Sequence, residues 1–392
     1  MSEAYARGFR AASVHAGLKP PGKLDMALIV SDSPCTAAGV FTTNRVKAAP
    51  VLYDQALLAA PNAQVRAVVV NTGSANAATG ALGLENARRT AQLAAERLGC
   101  RADEVLVLST GVIGMHLPMD KIATGVEALT GALRADAWQQ AASAMMTTDT
   151  RPKLATKRTE AGYGLVGVAK GAGMIAPHMA TMLAVIVTDA VVPRDMLGRA
   201  LQIATAASFN RIVVDGDMST NDTVLVLANG ASGVQADEAE FTQALSDVCV
   251  PLAQAIVRDG EGATKFVTVR VSGAPCEADA LTCARTIATS ALVKTAFYGA
   301  DPNWGRVLSA AGYSGVRFDP AQTALWLRDG ERTIQLMAAG APTDYDEAAA
   351  IALMEGAEWE VHLDLGAGHA ESWLWTCDLS HEYVTINSHY RT

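Results

Sequence analysis

The sequence lacks the cysteine spacing of a disulfide-stapled or metal-binding protein. Its 392 residues include six cysteines, and no two of them are spaced Cys-x-x-Cys. Six cysteines are too few for a disulfide framework in a chain of this length, and the seven histidines form no zinc-like pattern with them. We therefore expect reduced, mostly buried thiols, a cytoplasmic protein and no metal site.

The sequence also lacks a long hydrophobic run. The longest apolar stretches, Met182–Val187 and Val224–Ala228, fall far short of the roughly 20 residues that span a bilayer. The first residues, MSEAYARGFR, contain no apolar segment of the kind that secretory signals carry. These features predict a protein without a membrane partner, in which the two apolar stretches are buried strands.

An excess of basic residues is absent as well. The 31 Lys and Arg are outnumbered by 40 Asp and Glu, which gives a formal charge of −9. This balance argues against a nucleic-acid partner, which usually requires a basic face. Half of the residues are apolar and 18% are charged, so a disordered chain is excluded. The length fits two or three domains or one large α/β domain.

Helical and strand patterns alternate along the whole chain, which predicts a mixed α and β fold with sheets sandwiched between helices. The predicted strands are Met26–Val30, Val65–Val70, Glu104–Leu108, Leu165–Val168, Met182–Val187, Arg211–Val214, Val224–Ala228, Phe266–Val271, Trp359–Leu365, Trp373–Cys377 and Tyr383–Asn387. The predicted helices are Glu85–Leu98, Ala137–Met146, Asp195–Ala207, Phe241–Asp259, Glu277–Ala288 and Glu347–Glu355.

Two motifs lack the context that their chemistry requires. Gly162–Gly167 matches the Gly-x-Gly-x-x-Gly pattern of dinucleotide loops, but a polar stretch precedes it and a strand follows it. We interpret it as a hairpin-like turn. Asp215, Asp217 and Asp222 fit no known cation-binding loop, and aspartates are common in turns because they bond their own backbone. We interpret them as turn residues.

The segment Lys170–Ala190 joins a glycine loop to an apolar strand, and Thr181 stands at the junction. Its hydroxyl could attack the preceding carbonyl of Ala180 and cut the chain, which would leave Thr181 with a free α-amine. Such an amine has a pKa near 7.7–8.0 and can act as the general base for its own side chain. On spacing alone, a threonine that merely begins a strand is the more common case.

This segment resembles the cleavage motif of the ornithine acetyltransferase family, the bifunctional glutamate N-acetyltransferases of arginine biosynthesis. The resemblance extends over essentially the whole chain. Further similar blocks follow in the same order: Asp25–Val51, Asn71–Gly80, Ser109–Gly114, Met146–Lys153, Asp215–Thr223, Asp259–Lys265, Lys294–Arg306 and Asp378–Thr392. Ser74, Ala78 and His178 replace residues that are common in the family, which affects the expected cleavage efficiency and substrate preference but not the reaction class.

The resemblance implies an α+β fold, a four-layer αββα sandwich like that of the N-terminal-nucleophile hydrolases but with different connectivity. Cleavage would give an α chain of residues 1–180 and a β chain of residues 181–392, which share one main sandwich. A smaller C-terminal α/β region would span about 275–392. The two chains are expected to assemble as an α2β2 heterotetramer.

The resemblance also assigns the site. Thr181 matches the nucleophile and the Ala180–Thr181 bond the cleavage site, while Thr110 and Gly111 match the oxyanion hole. The substrate-contacting positions are Thr147, Lys170, Thr181, Glu261, Asn387 and Thr392. Lys170 would pair with an α-carboxylate and Glu261 with the side-chain ammonium of ornithine. His178 could assist proton transfer, although the terminal amine already fills that role.

The implied reaction is a ping-pong transfer of acetyl from N2-acetyl-L-ornithine to L-glutamate through an acetyl-threonine intermediate. The implied enzyme is a glutamate N-acetyltransferase that requires no cofactor, with acetyl-CoA as a further candidate co-substrate. Two alternatives remain open from the residues. One is a self-processed amidohydrolase or aminopeptidase, which would release acetate or amine without glutamate. The other is a nucleotide-binding or non-enzymatic protein, whose chain would stay intact.

Overall fold

The computed structural model describes residues 6–176 and 182–389. Its strands are β1 (Phe9–Val14), β2 (Met26–Phe41), β3 (Val65–Asn71), β4 (Val105–Ser109), β5 (Lys153–Arg158), β6 (Gly164–Lys170), β7 (Leu183–Thr188), β8 (Ile212–Val213), β9 (Thr223–Ala228), β10 (Phe266–Ala274), β11 (Ala324–Arg328), β12 (Thr333–Ala338), β13 (Ala341–Pro342), β14 (Glu358–Asp364) and β15 (Ala370–Cys377).

The helices are α1 (Ala49–Ala59), α2 (Gly80–Leu98), α3 (Met119–Gly131), α4 (Trp138–Met145), α5 (Arg194–Ala206), α6 (Glu238–Arg258), α7 (Glu277–Thr289), α8 (Ala291–Tyr298), α9 (Trp304–Gly312), α10 (Glu347–Met354) and α11 (His381–His389). Over residues 6–176 and 182–389, no helix combines the length and the apolar character needed to cross a membrane.

The larger sheet is organised around the long strand β2. The strand order is β4-β3-β2-β9-β7-β6-β5, and β1 also pairs with β2. The first part of β2 pairs with β1 and β3, and its last part pairs with β9 after a register shift between Val30 and Cys35. Such a shift bends a strand. The sheet is therefore divided into two halves that share β2.

The two halves face each other, because alternate residues of each strand lie in different cores. Val68 of β3 and Val185 of β7 lie in the same central core. Val69 packs on the other side among residues of α2 and α3. Ile186 packs on its other side among residues of α5 and α6. Helices thus cover both outer faces of two stacked half-sheets, which confirms the predicted four-layer αββα sandwich.

A second sheet forms the C-terminal region, with the order β13-β12-β11-β14-β10-β15-β8. Its core is closed on one side by α7, α8, α9 and α10. Phe266, Trp375 and Cys377 of this sheet pack into the core that contains α6, which joins the two regions. Apart from β8, which pairs with β15, the strands of this sheet begin with β10 at Phe266, whereas the resemblance implies a smaller region from about residue 275.

Local signals explain most element ends. Helix α2 ends at Leu98 and is capped by Gly99, whose φ of +66° suits glycine. Gly230 of the predicted Asn-Gly turn has a φ of +69°. Gly162 has a φ of +101° in the turn between the antiparallel strands β5 and β6. The interpretation of the Gly162–Gly167 motif as a hairpin turn is therefore confirmed.

The prediction of a strand at Tyr383–Asn387 is wrong, because these residues belong to helix α11. The β-branched sequence Val384-Thr385-Ile386 favours a strand on propensity. Among the described residues, however, no strand pairs with this segment. It packs instead beside the loop after α6 as a helix, in which Tyr383 and Asn387, four residues apart, face the same way. Tertiary packing therefore overrides the local preference.

Candidate active site

A polar cavity of about 200 Å³ lies where the ends of several strands meet the loop after α6 and helix α11. This volume is below the roughly 300–1,000 Å³ of pockets for drug-sized ligands, so it suits a small ligand such as an amino acid. The cavity brings together six of the residues predicted for the site, from five separate parts of the sequence. They are Thr110, Gly111, Thr147, Lys170, Glu261 and Asn387.

The remaining predicted residues lie outside the described part of the chain. The predicted nucleophile Thr181 and the cleavage position Ala180 lie outside the described residues, as does His178. The same holds for the predicted substrate contact Thr392 at the C-terminus. Met182, which directly follows Thr181, is described and lies buried at the start of β7.

One wall of the cavity consists of Thr110, Gly111 and Lys170, and is called the strand-end wall below. Thr110 and Gly111 directly follow β4, and Lys170 ends β6. Backbone hydrogen bonds hold the Thr110 loop against the loop after β3: Thr110 N donates to Asn71 O (3.0 Å), and Val112 N donates to Gly73 O (3.2 Å). This wall is therefore fixed by main-chain contacts between two strand ends.

Glycine is the one residue type that fits at position 111. Its φ is +131°, and a Cβ there would lie 2.4 Å from the carbonyl carbon of Gly73. Among the described residues, the Gly111 N–H has no hydrogen-bond partner. Lys170 Nζ donates to Thr110 Oγ1 (3.3 Å), so the hydroxyl proton of Thr110 is free to point into the cavity. Two donors can therefore meet on one ligand oxygen, as an oxyanion hole requires.

Lys170 is only 4% exposed and belongs to a buried charge network. Asp149 accepts hydrogen bonds from Gly171 N (2.6 Å) and Lys153 Nζ (2.7 Å), and Lys153 also pairs with Asp259. Burial opposes ionisation of Asp149, but Lys170, Lys153 and the Gly171 donor lower its pKa to about 2. Burial lowers the pKa of Lys170 below its usual range, and the attraction of Asp149 counteracts this effect.

A second wall of the cavity consists of Glu261, Tyr383 and Asn387, and is called the helix wall below. Glu261 follows α6, and its carboxylate accepts a hydrogen bond from Asn387 Nδ2 of α11 (2.7 Å). Gly173 leaves the space that the Glu261 carboxylate occupies, because a Cβ there would lie 2.4 Å from this carboxylate. Tyr383, one turn earlier in α11, donates its hydroxyl to Asp215 (3.3 Å). No lysine or arginine pairs with Glu261 or Asp215 in the described chain.

Several residues that support the site were not singled out from the sequence. Asn221 donates to Ala75 O (2.7 Å) and Ser109 O (2.8 Å), which joins the Asp215–Asp222 loop to the strand-end wall. Lys19 donates to Met146 O (2.5 Å) beside Thr147, and burial lowers its pKa to about 8. No local pattern marks these residues, because their partners are more than a hundred positions away.

Asp215, Asp217 and Asp222 do not converge on a cation site. No group of three or more His, Cys, Asp or Glu side chains with the geometry of a metal site occurs within residues 6–176 and 182–389. Asp215 does bond its own turn, accepting from Asp217 N (3.3 Å). Its shorter hydrogen bonds, like that of Asp222, go to backbone N–H groups of another segment.

The αββα sandwich and the polar cavity, which gathers two hydrogen-bond donors, a buried lysine and a glutamate, indicate an enzyme of the α+β class. Comparison with known proteins then identifies the family. Residues 10–392 match the ArgJ family. The Geobacter sulfurreducens arginine biosynthesis bifunctional protein ArgJ is 49% identical over 396 residues, which cover 98% of this chain and 99% of that protein. The chain belongs to the ArgJ family and is an acetyltransferase enzyme of arginine biosynthesis.

Two solved structures are also similar. The Bacillus halodurans ArgJ protein is 40% identical, with a TM-score of 0.48, and covers 52% of this chain and 96% of its own. The Mycobacterium tuberculosis ornithine acetyltransferase, solved in complex with ornithine, is 43% identical, with a TM-score of 0.42, and covers 44% of this chain and 92% of its own.

Proposed function

We propose that this chain cuts itself between Ala180 and Thr181 and then uses Thr181 to transfer acetyl from N2-acetyl-L-ornithine to L-glutamate. The observation that carries the proposal is the cavity that gathers Thr110, Gly111, Lys170 and the Glu261–Asn387 pair. Membership of the ArgJ family supports it independently.

The charge distribution of the cavity supports an amino-acid substrate with a cationic side chain. Lys170 offers a buried positive charge at the strand-end wall, which suits an α-carboxylate. Glu261 offers a carboxylate that accepts a hydrogen bond from a neutral amide and has no salt bridge among the described residues, which leaves it able to bind an ammonium group. The two charges stand on different walls of one cavity, which suits a ligand that carries both an α-carboxylate and a side-chain ammonium, such as acetylornithine.

In the cleavage step, the Thr181 hydroxyl oxygen bonds to the carbonyl carbon of Ala180. The bond between this carbon and the Thr181 nitrogen breaks, and the hydroxyl proton is transferred to that nitrogen. Water then hydrolyses the resulting ester, which leaves a carboxylate on Ala180 and restores the hydroxyl. Thr181 now carries a free α-amine, whose pKa near 7.7–8.0 leaves an appreciable neutral fraction to act as a base.

In the transfer step, the Thr181 hydroxyl attacks the acetyl carbonyl and its proton passes to the α-amine. The oxyanion forms opposite the Gly111 N–H and the Thr110 hydroxyl, and loss of one such donor typically lowers the rate about 10²–10³-fold. Ornithine leaves with the proton, and acetyl-threonine remains. The α-amine of glutamate then attacks this ester, which gives N-acetylglutamate and restores the enzyme.

The same proposal includes an α2β2 assembly of residues 1–180 and 181–392, no cofactor, and acetyl-CoA as a second acetyl donor. Their support is the resemblance of the sequence blocks and the family membership. Cytoplasmic location and the lack of nucleic-acid and membrane partners stay predictions from composition.

The test measures product formation and chain length together. The wild-type protein should form N-acetylglutamate from acetylornithine and glutamate, with parallel double-reciprocal plots, and should give pieces of 180 and 212 residues by mass. Thr181→Ala should give one intact, inactive chain, whereas the exposed control Thr282→Ala should match wild type. Acetate release without glutamate would favour the amidohydrolase, and an active Thr181→Ala protein would refute the proposal. A parallel assay with acetyl-CoA decides the second donor.

A further inference from the structure

The loop 215–222 between β8 and β9 holds the backbone on both sides of the segment predicted to be cut. Its sequence, DGDMSTND, begins and ends with aspartate. Asp215 contacts residues that precede the segment, and Asp222 contacts the residue that follows it. The inference below rests on the proposed self-cleavage and concerns how the fold prepares it.

On the upstream side, Asp215 uses both carboxylate oxygens. Oδ2 accepts from Met174 N (2.6 Å) and Oδ1 accepts from Ile175 N (2.7 Å). Ile175 O in turn accepts from Val214 N (2.9 Å). Met174 has a φ of +56°, a conformation that a residue with a side chain rarely adopts and that persists only where its surroundings enforce it. Asp215 supplies that enforcement.

On the downstream side, Asp222 Oδ1 accepts from Met182 N (3.0 Å), and Thr223 N donates to Met182 O (3.0 Å). Asp222 is 1% exposed, and its second oxygen, Oδ2, is buried without a partner among the described residues. Thr181 directly precedes Met182 in the sequence, so Asp222 holds the residue that follows the bond proposed to be cut.

The loop itself is anchored to the strand-end wall. Asn221 donates to Ala75 O and Ser109 O, and Thr220 O accepts from Ala48 N (2.9 Å). The two aspartates are therefore held relative to Thr110, which directly follows Ser109. Ile175 and Met182, which flank the cleavage segment in the sequence, are therefore fixed on one support that also holds Thr110.

We propose that Asp215 and Asp222 are positioning residues for self-cleavage, which fix the backbone on either side of the Ala180–Thr181 bond so that the Thr181 hydroxyl meets the Ala180 carbonyl. Their carboxylates suit this task, because hydrogen bonds from N–H groups to a charged acceptor are shorter and stronger than those to a neutral one. The aspartates of this loop therefore do more than form its turns.

The fold offers a matched control in Asp54 of α1. Asp54 is equally buried, its Oδ1 accepts from the strand residue Val107 N (2.9 Å), and its Oδ2 has no partner among the described residues. Asp54 and Asp222 thus share deep burial and the same type of backbone contact, but Asp54 contacts Val107 rather than a residue beside the cleavage segment. Replacing either one should cost comparable stability.

The experiment follows cleavage of the freshly translated full-length chain by denaturing gel and mass. Asp222→Ala should slow cleavage about 10- to 100-fold, the effect of leaving a buried N–H without its acceptor. Asp54→Ala should cleave within about threefold of wild type, at a similar loss of melting temperature. Asp222→Asn keeps an oxygen for Met182 N and should restore cleavage to within about tenfold of wild type.

Equal effects of Asp222→Ala and Asp54→Ala would overturn the assignment, since both would then act only through stability. If Asp222→Ala does not fold, Asp215→Asn decides, because its amide can accept only one of the two N–H bonds. A roughly tenfold slower cleavage supports the proposal, and a wild-type rate overturns it. A wild-type chain that never cleaves overturns the proposed cleavage together with this assignment, whereas normal cleavage in all variants overturns the assignment alone.

Discussion

The two walls of the cavity are built in different ways. The strand-end wall follows β4 and β6 in the centre of the sandwich, and main-chain hydrogen bonds between two loops fix it. The helix wall depends on α11, none of whose residues is fully buried, and on two side-chain contacts, Asn387 with Glu261 and Tyr383 with Asp215. The two donors proposed for the oxyanion hole and Lys170 thus have the rigid support, whereas Glu261, proposed to bind the side-chain ammonium of the substrate, has the adaptable one.

The largest effect of a substitution is expected where the two walls share a support. Lys153 pairs with both Asp149, beside Lys170, and Asp259, two residues before Glu261. Lys153→Met would remove the buried cation that joins these two carboxylates and should lower the free energy of unfolding by about 3–5 kcal/mol, measured by urea titration. Lys157→Met, on the same strand with a partly exposed partner, is the control and should have little effect. Equal effects of the two variants would show that the network does not support the site.

The strand-end wall alone is tested by Gly111→Ala. The added Cβ would collide with Gly73 and move the N–H out of place, so kcat should fall about 10²–10³-fold while the KM for acetylornithine changes little. Gly114→Ala, in the same loop, has a φ of +82° but open space around its Cβ position. A similar loss in both variants would mean that backbone strain, not the position of the donor, accounts for the effect.

A variant of the helix wall should have the smallest effect, and this effect should fall on KM rather than on kcat. Asn387→Ala removes the donor that orients Glu261, and should raise the KM for acetylornithine about tenfold with kcat within about threefold. Ser388→Ala, which only loses a contact to its own helix, should match wild type. A loss of kcat without a change in KM would remove the proposed division between the walls.

The sequence predicts the sandwich well because its strands are buried on both faces, and such strands are marked by continuous apolar runs such as Leu183–Thr188 and Thr223–Ala228. It does not predict the helices α1, α3, α8 and α9 or the strands β1, β5 and β11. Helix α11 was missed for a clear reason: its own residues favour a strand, and its contacts with the distant partners Glu261 and Asp215 leave no local signal.

The cavity residues were found by resemblance rather than by pattern. Thr110, Lys170 and Glu261 are ordinary residues of a strand end or a loop when taken one at a time, and their meeting depends on how the two half-sheets stack. The charge network of Asp149, Lys153 and Asp259 was not predicted, because an ion pair across more than a hundred residues leaves no periodic signal. The roles of the site residues stay predictions until the variants are measured.

The order of strands in the larger sheet has a consequence for the proposed break in the chain. Strands β7 and β9, from the later piece, lie between β2 and β6, from the earlier piece, and are hydrogen-bonded to them on both sides. Neither fragment could dissociate without breaking the hydrogen bonds in the middle of the sheet that the two pieces share. A nicked molecule would therefore travel as one particle through gel filtration, and only denaturant would release its two halves.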